Sequence, residues 1–213
     1  MIKAVIFDFD DTLVNTFETK ALALQKTARD FYDFELSLET IKTHWGKPYY
    51  EMLLLLFEEV SDDLDDILKN FEQIRKEFPS QLFDNVKETI KILKEKVILG
   101  IVTSTSKPLV LRDLALIDLS PDNFLYIQTF EETSVHKPDP HVFEPIFRKL
   151  AEEGIDKNEI IYVGDALTDF FAARDAGLKF YGVANAITTK EKFEKASAHV
   201  LEDIKELLTI ISH

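Results

Sequence analysis

The chain has 213 residues, of which 46% are apolar and 17 are Phe, enough for a sizeable core in one domain with an insertion or in two small domains. A net charge of −14 argues against a nucleic-acid backbone as partner, because phosphate neutralisation needs clustered Lys and Arg, but it leaves room for a small anionic ligand. The absence of cysteine excludes disulfide and thiolate chemistry and fits a cytoplasmic protein.

The first predicted element is a β-branched, apolar run over residues 2–9. It is too short for a signal-peptide core. It ends in Asp8, Asp10, Asp11 and Thr12. Carboxylates at the end of a buried strand repel one another and resist desolvation, and a divalent cation is the simplest compensation. Asp8 and Asp10 are two apart, so strand alternation puts both on one side of the backbone. Asp11 faces the other way and reads as a turn or capping residue.

The next stretch, to about residue 81, reads as helices without strands, over 16–32, 38–44, 48–60 and 62–78. Ser61 is the expected N-cap of the last helix, with Asp62, Asp63, Asp65 and Asp66 on a solvated face. Met52 to Phe57 is core of this insertion, and is far too short to cross a membrane. Gly46 and Pro48 mark a turn between helices. Lys47, between them, either reaches a substrate anion or is solvated while Trp45 packs inside. Such an insertion, directly after the Asp8 strand, is expected to sit over the active end of the sheet.

Beyond it, strands at 97–104, 124–128, 160–164 and 179–183 alternate with helices at 85–94, 109–116, 141–153 and 168–176. The strands are near-continuous apolar runs, hence buried on both faces. This rhythm predicts an α/β fold with a doubly wound parallel sheet. Ligands bind such sheets at the carboxyl ends of strands, where Asp8, Thr103 and Asp165 fall. The expected division is a core of residues 1–14 and 82–213 with an all-helical cap of residues 15–81.

Four pieces in order carry a resemblance: Asp8-Phe9-Asp10-Asp11-Thr12, Thr103-Ser104, Lys137 within His136-Lys137-Pro138-Asp139-Pro140, and Gly164-Asp165-Ala166-Leu167-Thr168-Asp169. Together they resemble the haloacid dehalogenase superfamily of phosphotransferases, over nearly the whole chain. The resemblance implies a Rossmann-like core with an inserted helical cap and a Mg²⁺-dependent hydrolase of small phosphorylated metabolites. In that reading Asp8 is the nucleophile that forms an aspartyl-phosphate. Asp10 is the general acid and then the base, its backbone carbonyl also a metal ligand. Thr103, with Ser104 beside it, binds the phosphoryl group and Lys137 neutralises its charge. Asp165 binds Mg²⁺ directly, and Asp169 supports the ion or orients its waters. Physical chemistry agrees, since a phosphoryl group approaching a carboxylate needs a cation to relieve the repulsion, and carboxylate oxygens favour Mg²⁺ over zinc. An aspartate at position 10 argues against cleavage of carbon–halogen bonds, because the family's dehalogenases lack it.

Ala166 stands where many relatives carry Ser or Thr, with Thr168 as a nearby hydroxyl. Residues 182–186 lack a second glycine often present in relatives, and nothing catalytic is read there. His136, Arg174 and Asp175 read as loop or structural residues. Two alternatives share the same core residues: a phosphomutase of the β-phosphoglucomutase type, and a binding module without turnover. No nucleic-acid or membrane partner is expected, and the chain is read as a monomer or homodimer.

Overall fold

The computed structural model describes residues 1–45, 47 and 49–212. The expected turn at Gly46 and Pro48 lies outside them. In chain order the elements are β1 (Ala4–Phe7), β2 (Val14–Asn15), α1 (Thr16–Tyr32), α2 (Leu38–His44), α3 (Tyr49–Phe57), α4 (Leu64–Arg75) and β3 (Gln81–Leu82). Then come α5 (Val86–Leu93), β4 (Ile98–Val102), α6 (Lys107–Leu116), β5 (Tyr126–Gln128), α7 (Glu144–Glu152) and β6 (Ile160–Gly164). The last are α8 (Leu167–Ala176), β7 (Lys179–Val183), α9 (Lys190–Lys195), β8 (His199–Leu201) and α10 (Leu207–Ile210). The chain divides into two compact units, residues 1–15 with 81–213, and residues 16–80.

The first unit is built on a six-stranded sheet of order β5-β4-β1-β6-β7-β8 in which every pairing is parallel. β1 lies between β4 and β6, with Ala4 opposite Ile98 on one side and Ile160 on the other. Strand alternation divides its buried side chains between two cores. Val5 and Phe7 join Leu99, Ile101, Ile161 and Val163 on one face, closed by residues of α5, α6 and α10. Ala4 and Ile6 join Val102, Ile160 and Tyr162 on the other face, closed by residues of α7, α8 and α9. Each fully buried Val or Ile contributes about 1.5–3 kcal/mol, so the central strand cannot slip register without losing both cores.

Gln128, at the end of β5, is buried and anchors the chain after it. Its amide donates to the Val142 carbonyl at 2.6 Å and accepts from the Ile146 amide at 3.2 Å. The expected helix at 141–153 is therefore two pieces, a 3₁₀ turn over Pro140–Phe143 followed by α7. Short β2 and β3 pair antiparallel where the chain leaves and re-enters this unit, with Val14 opposite Leu82.

The second unit consists of α1 to α4 among the described residues. Helix α4 begins later than expected. Asp63, not Ser61, is its N-cap, accepting from the Asp66 amide at 3.1 Å, while Ser61 Oγ accepts from the Asp63 amide. Asp66 is not merely solvated either, since Tyr32 Oη donates to it at 2.7 Å and Asn70 Nδ2 at 3.1 Å. A carboxylate pairs with the two groups more effectively than water does once the surrounding helices restrict access. Among the described residues, no helix is long and apolar enough to cross a membrane.

Candidate active site

The carboxyl ends of β1, β4 and β6 lie side by side, because the three strands are parallel and in register. Asp8 continues the ladder past β1, donating its amide to the Val163 carbonyl at 2.8 Å. The backbone then turns sharply. Asp11 takes a left-handed conformation (φ 54°), and its amide donates to the Val14 carbonyl at 2.7 Å. Asp11 thus makes the turn its sequence position suggested.

Lys137 arrives from the loop between β5 and α7, preceding a cis peptide bond to Pro138. Its ammonium is buried and lies 2.8 Å from Asp8 Oδ1, 2.6 Å from Asp169 Oδ1 and 3.1 Å from Tyr162 Oη. Asp169, in the first turn of α8, is 1% exposed. It accepts from Tyr162 Oη at 2.9 Å and from the Ala166 amide at 3.0 Å. That approach demands glycine at 164, where a Cβ would lie 2.7 Å from Asp169 Cβ and Cγ. Asp165 accepts from Asn185 Nδ2 at 2.7 Å and from Thr12 Oγ1 at 3.3 Å. Thr168 is instead exposed on α8, so the support that Ala166 cannot give Asp165 comes from Thr12 and Asn185.

Thr103 and Ser104 follow β4. Thr103 is buried, and its hydroxyl oxygen accepts from the Thr105 amide at 3.1 Å, while Ser104 is exposed. Thr105 Oγ1 donates to Asp10 Oδ2. Of the predicted site residues, Asp8, Lys137 and Asp169 are in direct contact. Asp165 joins Asp8 and Asp169 in a carboxylate group whose oxygens lie within 4.8 Å of one another. Lys47 belongs to the helical unit, where it ion-pairs with Glu51 at 3.5 Å. Three contributors were not singled out from the sequence: Tyr162, Thr105 and Asn185. Tyr162 hides in an apolar strand, though a buried tyrosine hydroxyl always needs a partner. Asn185 follows the carboxyl end of β7, the same edge of the sheet, which was the available signal.

The electrostatics of this cluster are unbalanced. Burial pushes the Asp8 carboxyl up to about 7, with Lys137 pulling it down and Asp169 pushing it further up. Burial, then the charges of Asp169, Asp8 and Asp11, holds Asp165 well above the usual carboxylate range. Burial opposes the Lys137 ammonium, but Asp169 and Asp8 together keep its pKa well above that of a free lysine. One buried ammonium therefore pairs with two carboxylates while a third lies beside them. An all-oxygen donor set with surplus negative charge fits a hard divalent cation such as Mg²⁺.

The model of the haloacid dehalogenase-like hydrolases matches residues 5–183. The chain belongs to this family. The haloacid dehalogenase-like chain is 30% identical over 212 residues to the pyrophosphatase PpaX of Bacillus pumilus, covering 99% of this chain and 96% of that one. It is 25% identical over 223 residues to the phosphoglycolate phosphatase of Haemophilus influenzae, covering 98% of each. A solved structure from Thermotoga maritima, provisionally named a β-phosphoglucomutase, superposes with a TM-score of 0.83 at 24% identity over 99% of both chains, a likeness of fold. The expected doubly wound haloacid dehalogenase core is thereby established, and the protein is an enzyme of the family's phosphatase kind.

Proposed function

We propose that the chain hydrolyses a small phosphorylated metabolite in a Mg²⁺-dependent reaction that passes through a phosphoryl group on Asp8. The observation that carries this reading is Lys137, held between Asp8 and Asp169 at the carboxyl end of the central strands. A structural ion pair needs one carboxylate, whereas this ammonium faces two, with a third beside them. Asp8, Asp165 and the backbone carbonyl of Asp10 would hold Mg²⁺, with Asp169 in support, and the ion would supply charge neutralisation for the phosphoryl group.

The chain's own groups then divide the work. The Asp8 carboxylate attacks phosphorus, forming an aspartyl-phosphate as the bond to the leaving oxygen breaks. Asp10 gives a proton to that oxygen and later takes one from the water that cleaves the acyl phosphate. Lys137 pulls the Asp8 carboxyl down toward ionisation against the effect of burial, and opposes the charge gathering on the phosphoryl oxygens. Thr103 has its oxygen engaged by the Thr105 amide, so its proton is directed outward as a donor. The relatives named pyrophosphatase and phosphoglycolate phosphatase support compact, highly charged substrates. Pyrophosphate and phosphoglycolate are therefore the first compounds to assay.

Phosphate release from these two and a panel of phosphomonoesters, with Mg²⁺ and with EDTA, tests the reading. Release that requires Mg²⁺ and is lost in Asp8→Asn is expected. Metal-independent release, or an Asp8→Asn variant with full activity, contradicts it.

A further inference from the structure

We infer that Thr105 is the positioning residue for Asp10, an inference that rests on the proton-transfer role proposed above. Asp10 and Thr105 are 95 residues apart, on the loops after β1 and β4, and the threonine hydroxyl donates to Asp10 Oδ2. The parallel register of these two strands brings the loops together.

Both partners are fixed by their own backbones. Asp10 is half-buried, and its backbone forms a bridge with Val14, while the adjoining Asp11 amide donates to the Val14 carbonyl. The Thr105 amide donates to Thr103 Oγ1 at 3.1 Å, and its carbonyl accepts from the Phe130 amide at 3.1 Å. A β-branched side chain on so constrained a backbone has few rotamers to choose from. Its hydroxyl is therefore presented at one place and in one direction. In the first half-reaction the Asp8–phosphorus bond forms, the bond from phosphorus to the leaving oxygen breaks, and the proton of Asp10 passes to that oxygen, which departs as a hydroxyl group. In the second, water loses a proton to Asp10 as it cleaves the acyl phosphate, restoring both carboxyl groups.

Thr103 and Thr105 thus divide the tasks that their proximity in sequence blurs. Thr103 faces the phosphoryl group in the proposed reaction, and Thr105 sets the carboxyl group that serves the leaving group. A hydroxyl that only filled space would affect all substrates alike. One that aims a general acid matters most when the leaving oxygen is a poor leaving group, because a nitrophenolate departs without a proton and an alkoxide does not.

The test compares wild type, Thr105→Val and Thr105→Ser on phosphoglycolate and on p-nitrophenyl phosphate, with melting temperatures as a check on folding. For Thr105→Val, kcat/KM, which reports formation of the aspartyl-phosphate and not its common hydrolysis, is expected to fall about 10-fold or more on phosphoglycolate and by less than roughly 3-fold on p-nitrophenyl phosphate. Thr105→Ser, which keeps the hydroxyl, is expected to recover most of the lost rate. Equal losses of kcat/KM on both substrates, no loss on either, or a serine variant as slow as the valine one would overturn the inference. If Thr105→Val does not fold, Thr105→Ala is read by the same criteria. A wild-type enzyme that releases phosphate from neither compound nor from any other phosphate ester contradicts the phosphatase reading itself, and this inference falls with it.

Discussion

Three carboxylates and one ammonium share a place where burial removes most of the screening water, so each charge strongly affects the next. The Asp8 carboxyl, with a pKa of about 7 against 3.8 when free, keeps its proton in the folded chain across that interval. The folded state then binds more protons than the unfolded one, and metal-free stability falls as pH rises from about 4 to about 7 and stays lower above. Replacing Asp8 by Asn removes the charge that causes the fall. In EDTA above pH 7 we expect Asp8→Asn to melt higher than wild type, by about 1–2 kcal/mol or roughly 2–8 °C for a chain of this size. The difference should vanish below pH 4, and thermal melts across pH check it. Gly164→Ala should act oppositely: a Cβ 2.7 Å from Asp169 must displace a side chain held by Lys137, Tyr162 and the Ala166 amide. We expect a loss of about 1–3 kcal/mol together with most of the activity, measured by melts and phosphate release. Asp8 was legible as charge at the end of an apolar strand, and Lys137, Asp165 and Asp169 through the resemblance that the four motifs in order carry. Tyr162 was not, because its hydroxyl acts from within a strand whose other residues are apolar.

At the scale of elements, the strands over residues 160–164 and 179–183 were readable to the residue, since each is a mostly apolar, β-prone run that stops at Asp165 or Ala184. β8, β2 and β3 were missed. Two or three residues carry no periodicity, and their pairing depends on partners far away in sequence. The start of α4 was misplaced because Ser61 and Asp63 are both good capping residues, and only geometry shows that Asp63 takes the Asp66 amide. Asp63→Ala should therefore cost about 1 kcal/mol, and Ser61→Ala less than about half of that, in chemical denaturation of the full chain. A larger cost at Ser61 would restore the sequence-based expectation.

For the molecule as a whole, the parallel sheet gathers side chains from three stretches far apart in sequence, at position 8, at position 137 and at positions 165 and 169. The division into a sheet-bearing unit and a helical unit follows the point where strand–helix alternation stops and resumes. Metal binding should be visible in the stability of the whole chain, because a cation that binds only the folded carboxylate group shifts the folding equilibrium by mass action. Millimolar Mg²⁺ should raise the melting temperature and EDTA should reverse it. The rise should grow with pH through about 7, because Asp8 must lose its proton to serve as a ligand. A Mg²⁺ effect that is absent, or larger at pH 5 than at pH 8, would contradict the assignment of this cluster as the cation site.

The most direct test of the central claim is to quench the enzyme with acid during turnover, reduce with borohydride and map the modified residue by mass spectrometry. The account predicts a Mg²⁺-dependent phosphoryl group on Asp8, trapped as its reduction product and absent from Asp8→Asn. An enzyme that turns over at full rate with Asp8 unmodified at every quench time, or that carries the phosphoryl group on another residue, would contradict it.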